Sequence, residues 1–406
     1  MASSPLKIGV IREGKQPPDS RVPLTPEQAA GVSANPAFDL VVQPSQGRCF
    51  SDDAYAAKGV ELREDLSDRE VLIGVKEVPI EKLQPGCTYF FFSHTHKKQV
   101  YNRELLQAIL AKRIRMIDYE LLTNAKDARL IAFGRFAGMV GAHHGLRAWG
   151  LRSKQYDLPQ MVNLEDYAAA KEAYAKTHFG DLRVVVTGTG RVGKGAAQVL
   201  LDAGLSEVDP DAFLEGKGEG AVFTRLGVKR YVRREDRAAF TKQDFYANPG
   251  GYESTFLPYC RQADVLVHGI FWDNRAPAMF SLTEMATPGF RVSVIADVTC
   301  DIHPVTSIPA TRKASTIADP YFGFDPRTEL ETEPFAEHGI TMMTVDNLPN
   351  EMPRDASAAF GEMFVSKILP ELLQLRSEVL EGATIAKNGQ LTERYAYLQD
   401  FVDAKA

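Results

Sequence analysis

A glycine-rich turn near residue 190 constrains the fold more than any other feature of the sequence. The apolar run Leu182-Arg-Val-Val-Val-Thr leads into Gly188-Thr-Gly190-Arg191-Val-Gly193, and an amphipathic helical pattern follows. In a strand–turn–helix unit the first glycine permits the tight turn, the second lets the backbone approach a pyrophosphate, and the third lets helix and strand pack closely. The N-terminus of the helix then faces the phosphates. This pattern predicts a dinucleotide-binding domain of the Rossmann type, in preference to a βα turn without a ligand.

The residue that reads the adenosine ribose is expected at the end of the next strand. We predict that strand at Val228–Val232, after a polar insertion at 204–228, and its end carries Arg233-Arg234-Glu235-Asp236. Arg233 would accept a 2′-phosphate and favour NADP, whereas Glu235 or Asp236 would hold a ribose diol and favour NAD. A solvated charge run is an equally good interpretation, so the choice between NAD and NADP stays open here.

Strand-like and helix-like patterns alternate along the chain. The apolar runs lie near residues 7–11, 38–42, 71–75, 89–92 and 115–119, and again near 182–187, 263–268, 292–297 and 339–346. Alternation of this kind predicts βαβ units, parallel sheets and an α/β fold. A length of 406 residues suggests two or three domains. We also expect a helix of small residues near 133–152 and one long helix over Phe360–Leu380.

Composition excludes several classes of protein. A net charge of -6 argues against a nucleic-acid-binding protein, and no apolar run approaches the roughly 20 residues that cross a bilayer. The N-terminal sequence lacks the apolar core of a signal peptide. The four cysteines are widely spaced, which predicts reduced thiols in a cytoplasmic protein and no metal site.

Two ionisable residues follow neighbouring strand candidates. Lys76 comes after Val71-Leu-Ile-Gly-Val, and His94 comes after Phe90-Phe-Phe-Ser. If these strands are parallel neighbours, both side chains leave the sheet at its carboxyl edge, where ligands of open α/β sheets bind. A partly desolvated lysine can serve as a base near neutral pH, and histidine titrates there already. The two together are a candidate acid–base pair. Either residue alone is more often a solvated charge or a satisfied hydrogen-bonding group, and the pair outweighs that interpretation only with the family resemblance described next.

Further motifs occur in the order found in one enzyme family. They are Arg21-Val-Pro-Leu-Thr-Pro, Ile73-Gly-Val-Lys-Glu, Phe91-Phe-Ser-His-Thr-His-Lys-Lys-Gln, Ile117-Asp-Tyr-Glu, Ile131-Ala-Phe-Gly-Arg-Phe-Ala-Gly, Ala296-Asp-Val-Thr, Val345-Asp-Asn-Leu-Pro and Pro353-Arg-Asp-Ala-Ser. With the glycine turn they cover nearly the whole chain. The sequence resembles the lysine-forming saccharopine dehydrogenases and the related lysine–ketoglutarate reductases. Their wider superfamily includes alanine dehydrogenases and the nicotinamide-binding part of transhydrogenases.

The resemblance implies two Rossmann-like domains with the active site in the cleft between them. Residues 1–133 plus 350–406 would form the substrate and catalytic domain, and residues 134–349 the dinucleotide-binding domain. Lys76 would take a proton from a secondary amine, and His94 would manage water addition to the imine. The positions that match substrate contacts are Arg21, Gln99, Arg129, Phe133, Asp297, Val298 and Thr299. Besides the glycines, the positions that match contacts to NAD or NADP are Arg191, Val345, Asp346, Asn347 and Leu348.

The implied reaction is the oxidation of saccharopine by NAD(P), which releases L-lysine and 2-oxoglutarate, or the reverse reductive condensation. Three substrate carboxylates would explain several arginines at the site, because guanidinium binds carboxylate through two parallel hydrogen bonds. Val192 stands where fungal members carry a cysteine, and Ala128 where they carry an arginine. The insertion and its Arg233-Arg234 pair look more like the reductase branch, which uses NADPH.

Two other functions fit part of the pattern. An alanine dehydrogenase, or another opine or amino-acid dehydrogenase, would share the glycine turn, Lys76 and His94 but would need fewer carboxylate-binding groups. A non-catalytic dinucleotide-binding subunit would need neither Lys76 nor His94, and their joint presence argues against it. The sequence leaves open the oligomeric state, the direction of the reaction and the exact amino-acid substrate.

Overall fold

The fold consists of two compact α/β units. It is known from a computed structural model that describes residues 4–404. The first unit contains the residues up to 133 and those from 353 onward, and the second contains residues 134–352. Each unit is built on a mostly parallel sheet that has eight strands within the described residues. The predicted α/β fold with two Rossmann-like sheets is confirmed.

The strands alternate with helices through most of the chain, as in βαβ units. The strands are β1 (Leu6–Val10), β2 (Phe38–Val42), β3 (Glu61–Leu62), β4 (Val71–Ile73), β5 (Thr88–Phe91), β6 (Arg115–Asp118), β7 (Arg183–Thr187), β8 (Ser206–Glu207), β9 (Val222–Leu226), β10 (Val232–Arg234), β11 (Tyr252–Ser254), β12 (Val265–His268), β13 (Val294–Asp297), β14 (Tyr321–Asp325), β15 (Leu330–Thr332), β16 (Ile340–Met343), β17 (Thr384–Lys387) and β18 (Gln390–Leu391).

The helices differ widely in length, from single turns to five turns. They are α1 (Pro26–Ser33), α2 (Asp52–Ala57), α3 (Arg103–Ala111), α4 (Gly134–Ser153), α5 (Tyr167–Ala175), α6 (Arg191–Asp202), α7 (Pro210–Leu214), α8 (Lys242–Ala247), α9 (Leu257–Cys260), α10 (Leu282–Met285), α11 (Pro353–Lys367), α12 (Glu378–Ala383) and α13 (Gln399–Val402). As its Thr-Pro-Glu sequence predicts, α1 begins with Thr25 as N-cap, whose hydroxyl accepts a hydrogen bond from the N–H of Gln28.

The first sheet has the strand order β18-β17-β6-β5-β4-β1-β2-β3. Strands β1 to β6 pair in parallel, and β17 and β18 add an antiparallel edge. Both faces are buried: Phe90 packs in one apolar cluster, whereas Tyr89 and Phe91 pack in the other. Strands of parallel sheets are apolar along their whole length because both faces of the sheet are covered in this way. Since β4 and β5 are parallel neighbours, the segments that carry Lys76 and His94 leave the sheet side by side.

The second sheet has the strand order β15-β14-β16-β13-β12-β7-β9-β8. After β7, the strands β8 and β9 lie on one side of it in the sheet, and the chain then returns so that β12 lies on its other side. The point of reversal therefore lies between β7 and β12, and open α/β sheets bind ligands outside the carboxyl ends of their strands at such a point. The glycine turn Gly188–Gly193 follows β7 at that place.

Helix α4 packs closely against α6 because both carry glycines where their backbones meet. A Cβ atom on Gly138 would lie 1.9 Å from the carbonyl oxygen of Val192, and one on Gly195 would lie 1.9 Å from that of Arg135. Real Cβ atoms do not approach carbonyl oxygens so closely, so no larger residue fits at either position. The helix predicted from small residues near 133–152 is therefore present, and its composition serves this contact.

The C-terminal segment differs from prediction. The prediction of a single helix over Phe360–Leu380 is wrong. Helix α11 ends at Lys367, a 3₁₀ segment spans Leu369–Leu373, and α12 begins at Glu378. Pro370 explains the break, because proline lacks an N–H group and disfavours helical conformation in the residue before it.

The second strand of the dinucleotide-type sheet was also placed too late. The strand that pairs with β7 is β9 at Val222–Leu226, whereas Val232–Arg234 forms a separate two-stranded ribbon with β11. Val222, Phe223 and Leu226 are buried in the core, and Arg233 is exposed. The apolar side chains that join the sheet lie within the segment that the sequence presented as a polar insertion.

Candidate active site

The first unit brings the regions of Lys76 and His94 together through Glu77. Lys76 is the third residue after β4, and His94 is the third residue after β5. One oxygen of Glu77 lies 2.9 Å from Nδ1 of His94, and the other lies 3.1 Å from Nζ of Lys15. The residue next to Lys76 therefore contacts the imidazole directly. Glu77 and Lys15 were not singled out from sequence, although Glu77 immediately follows Lys76.

Lys76 is held in surroundings that disfavour its charged form. Burial, together with the positive charges of Arg21 and Lys15, lowers its pKa to about 8 against the opposing effect of Glu77 and Asp19. A substantial fraction of this amine is neutral slightly above physiological pH, whereas an ordinary lysine is almost wholly charged there. Lys76 thus has the property that a general base requires.

His94 adopts a backbone conformation that residues other than glycine rarely take. Its φ is 53° and its ψ is 8°, in the left-handed region. Its ring stacks on Phe92 with 6.4 Å between centroids. Strained backbone of this kind costs about 1 kcal/mol or more and is concentrated at functional sites. The stacking and the contact with Glu77 hold the imidazole in one orientation.

Arg21 and Phe133 lie together, as carboxylate-binding and chain-binding residues would. The guanidinium of Arg21 lies 4.3 Å from the centre of the Phe133 ring and makes two hydrogen bonds, of 2.9 and 2.5 Å, with Asp19. A cavity of about 90 Å³ adjoins Arg21. Its charged lining residues are Arg12, Glu13, Lys15, Asp19, Arg21 and Arg48. The excess of positive side chains suits an anionic ligand.

A second charged cluster surrounds Glu120. Its carboxylate lies 2.9 Å from Nζ of Lys97, 3.3 Å from Nη1 of Arg129 and 3.5 Å from Nε2 of His96. Burial opposes ionisation of Glu120, but these positive neighbours outweigh it and lower its pKa. Sequence reasoning predicted Arg129 and missed the other three, although the quoted family motifs contain them. Gln99 is exposed and accepts a hydrogen bond of 2.6 Å from the Tyr101 hydroxyl.

The second unit contains the predicted glycine loop in a form that suits a dinucleotide. Gly188 has a φ of 91°, and a Cβ on Gly193 would lie 1.9 Å from the Gly188 carbonyl oxygen. A Cβ on Gly190, the N-cap of α6, would meet no atom within 4 Å. Arg191 is exposed on the first turn of that helix. The loop therefore combines a tight turn, close packing and open space above a helix N-terminus, the features that admit a pyrophosphate.

An apolar cavity of about 280 Å³ adjoins the loop. Ile270, one of its lining residues, lies 3.4 Å from the position of a Cβ on Gly188. Its aromatic lining consists of Tyr231 just before the ribbon, Phe245 and Tyr246 of α8, and Phe271 and Trp272 after β12. A pocket of this size and composition suits a flat ring system such as a nucleobase.

The predicted substrate loop of the second unit has a buried carboxylate. Asp297 is fully buried, accepts hydrogen bonds from the Thr311 hydroxyl at 2.6 Å and the Cys300 N–H at 3.1 Å, and has its pKa raised to about 6 by burial. Thr299 contacts the backbone of Ile270 through its hydroxyl, and Val298 is half-buried. Within this unit Asp297 shapes the loop, and only Val298 and Thr299 are partly accessible.

The predicted cofactor segment after β16 is mixed in exposure. Val345 and Leu348 are buried, Asp346 is exposed and Asn347 is half-buried. Arg233 lies on the ribbon and pairs with Glu253 at 2.8 Å. It does not end the strand next to β7, so the structural reason for assigning it to a 2′-phosphate is lost. Lys229 and Arg230 follow the true second strand.

The described part of the chain has neither a cluster of metal-binding side chains nor a membrane-spanning helix. Residues 4–404 contain no group of three or more His, Cys, Asp or Glu side chains placed to hold a metal ion. Over the same residues, no helix combines the length and the apolar character needed to traverse a bilayer.

Comparisons with known proteins agree with this architecture. Residues 9–140 match the model of the alanine dehydrogenase/PNT N-terminal domain. The chain is 32% identical to an alpha-aminoadipic semialdehyde synthase of Arabidopsis thaliana, over 96% of this chain and 41% of that protein. It is 26% identical to a saccharopine dehydrogenase (NAD+, L-lysine-forming) of Emericella nidulans, over 94% of both proteins. The solved structure of an L-alanine dehydrogenase has a TM-score of 0.66 over 99% of this chain at 17% identity.

The fold and the glycine loop define an α/β protein of the dinucleotide-binding class, and the chain belongs to the alanine dehydrogenase/transhydrogenase superfamily. Within it, the chain is similar over nearly its full length to saccharopine dehydrogenases and aminoadipic semialdehyde synthases. It spans less than half the length of the synthases it matches, between 41% and 48%.

Proposed function

We propose that the protein is an NAD(P)-dependent oxidoreductase that interconverts saccharopine with L-lysine and 2-oxoglutarate. The observation that carries this proposal is a partly buried lysine with a pKa of about 8 beside a histidine–glutamate pair and a cavity rich in arginine. A secondary amine with several carboxylates is the kind of substrate that this combination of groups accommodates.

The residues of the first unit take distinct roles in the proposed reaction. Bound nicotinamide supplies hydride transfer. Neutral Lys76 accepts the proton of the secondary amine as the substrate is oxidised to an imine. His94 then takes a proton from water that attacks the imine, and returns it as the carbinolamine collapses to lysine and 2-oxoglutarate. Glu77 contacts Nδ1 of His94, which leaves Nε2 for this proton transfer.

The proposed cofactor is NADP, although the same fold accepts NAD. The strand next to β7 ends at Leu226 and continues as Gly227-Val-Lys229-Arg230, without a carboxylate that would bind the ribose hydroxyls. Two basic residues there suit a 2′-phosphate. The aromatic cavity lined by Ile270 would hold the adenine.

We also propose that the enzyme acts in the cytoplasm, since its four cysteines are free thiols, as is usual in a reducing compartment.

A spectrophotometric screen tests the proposal directly. NADPH and NADH are each offered with 2-oxoglutarate and, in turn, lysine, ornithine and arginine, and in a separate reaction with pyruvate and ammonia. Oxidation of NADPH that depends on both lysine and 2-oxoglutarate is expected. Turnover with pyruvate and ammonia alone would replace the proposal with an alanine dehydrogenase, and a Kd for NADPH without any turnover would favour a non-catalytic subunit.

The pH dependence of saccharopine oxidation should follow the protonation of Lys76. Its amine must be neutral to accept a proton, and its pKa is about 8. The rate should therefore be low at pH 6 and rise as the pH increases through about 8. Measurement of kcat across this range checks the prediction. A rate that falls over the same interval would remove Lys76 as the base for oxidation.

Replacement of Arg129 with alanine should weaken substrate binding but not cofactor binding. Loss of a charge-assisted hydrogen bond to a carboxylate costs about 1.5 to 3 kcal/mol, which is about tenfold or more in affinity. We expect the KM of the dicarboxylate substrate to rise by that factor with the Kd of NADPH unchanged. Arg376→Ala, at an exposed arginine of the same unit that pairs with Glu381, is the control. Loss of NADPH binding in Arg129→Ala would contradict the assignment.

A further inference from the structure

The carboxylate of Glu13 lies buried at the end of β4 and binds two consecutive backbone N–H groups. One oxygen accepts from Val75 at 2.6 Å, and the other accepts from Lys76 at 2.9 Å. A Cβ on Gly74 would lie 3.3 Å from the first oxygen, so the carboxylate also packs tightly against the strand. The backbone of Lys76 is thus fixed by a side chain that the proposed chemistry does not use.

The position of Glu13 follows from the way β1 leaves the sheet. The N–H of Ile11 still donates to the carbonyl of Ile73 at 3.0 Å, but the N–H of Arg12 turns to the Gln43 side chain at 3.1 Å. Beyond that point β4 has no backbone partner on this side, and the two oxygens of Glu13 take over as acceptors. Successive N–H groups of an extended strand point in opposite directions. Their convergence on one carboxylate therefore requires the bend that the chain makes at Val75 and Lys76.

We propose that Glu13 is a positioning residue for Lys76: by holding the bend after β4 it sets the direction in which the amine leaves the sheet. The inference rests on the proposed function for its effect on turnover, but the contact itself does not. Without the two hydrogen bonds the segment would relax toward an extended path. Lys76 would then leave the partly buried place beside Arg21 and Lys15.

Glu13 influences Lys76 by fixing the position of its backbone and not by its own charge. The largest effects of charge on Lys76 come from Arg21, Lys15, Glu77 and Asp19. Glu13 is itself influenced by burial, by Asp19 and by Arg21, and burial raises its pKa to about 8. A carboxyl group that is largely neutral at pH 7 contributes little field, but either form can accept the two N–H bonds.

Two substitutions separate position from charge. Glu13→Gln keeps the shape but offers one carbonyl oxygen and an NH₂ group, which meets the second N–H as another donor. Glu13→Asp keeps the carboxyl group but is one methylene too short to reach both N–H groups. Both variants should lower kcat about tenfold to a hundredfold, as displacements near 1 Å at reacting groups do, with the KM of NADPH unchanged. Glu70→Gln is the matched control, because Glu70 accepts the N–H of Lys7 at the opposite end of the same strand pair.

A second measurement does not depend on activity. The rate at which Lys76 reacts with an amine reagent is measured against pH by peptide mass spectrometry, on variants whose thermal unfolding shows that they are folded. The apparent pKa of Lys76, about 8 in the native protein, should rise toward that of an ordinary lysine in Glu13→Gln and Glu13→Asp. A shifted titration supports the inference even if lysine and 2-oxoglutarate prove not to be substrates. The inference would be overturned if both variants kept the native titration of Lys76 and the native kcat. It would also be overturned if Glu13→Gln lost activity while Glu13→Asp kept the native kcat.

Discussion

Lys76→Met should lower turnover by roughly a hundredfold or more, since loss of a general acid–base group costs about that factor. Methionine fills nearly the same volume but cannot accept a proton. The effect should appear in kcat for saccharopine oxidation and for the reverse condensation. It should be accompanied by loss of the rise in rate near pH 8, because the group responsible for that rise is gone.

The control for this variant is Lys126→Met, at an exposed lysine of the same unit. Its kinetics should match those of the native protein. Binding of NADPH should survive in both variants, because the glycine loop belongs to the second unit. If Lys76→Met turns over at the native rate, the proton must be removed by another group, and the proposed mechanism fails.

Gly193→Ala should weaken dinucleotide binding strongly while leaving the first unit intact. The new Cβ would lie 1.9 Å from the carbonyl oxygen of Gly188, so the loop must move away from α6. Overpacking of this kind costs about 1 to 3 kcal/mol, which corresponds to a rise of about tenfold to a hundredfold in the Kd of NADPH. Equilibrium titration with NADPH fluorescence measures the change.

Gly289→Ala is the matched control in the same unit, since a Cβ there would meet its nearest neighbour, Nε of Arg261, at an ordinary 3.8 Å. Thermal unfolding of both variants shows whether the second unit stays folded. Native affinity in a folded Gly193→Ala would mean that the dinucleotide binds elsewhere. Together with Lys76→Met, this variant separates loss of proton transfer from loss of cofactor binding.

Local patterns in the sequence predicted the elements whose signals are themselves local. The glycine turn after β7, the N-cap at Thr25 and the small-residue helix α4 each depend on residues a few positions apart. The strand β9 was missed because its apolar residues sit among glycines and charges, and only its pairing with β7 makes it a strand. Propensity is weak where tertiary packing decides.

The candidate site divides in the same way. Lys76 and His94 were found because each follows a predicted strand and both lie in the motifs that carry the family resemblance. The groups that act on them come from other parts of the chain: Lys15 lies far from Glu77 in sequence, and Glu13 is 63 residues from Lys76. No periodicity or spacing in one sequence announces such contacts.

The order of apolar and small residues along the chain was enough to determine an α/β protein with a dinucleotide-type turn, because those features arise from interactions between near neighbours. The folded arrangement alone decided which groups surround Lys76 and how far its pKa falls. Desolvation and electric fields depend on distance in space, and that distance is fixed only when separate strands and loops are packed together.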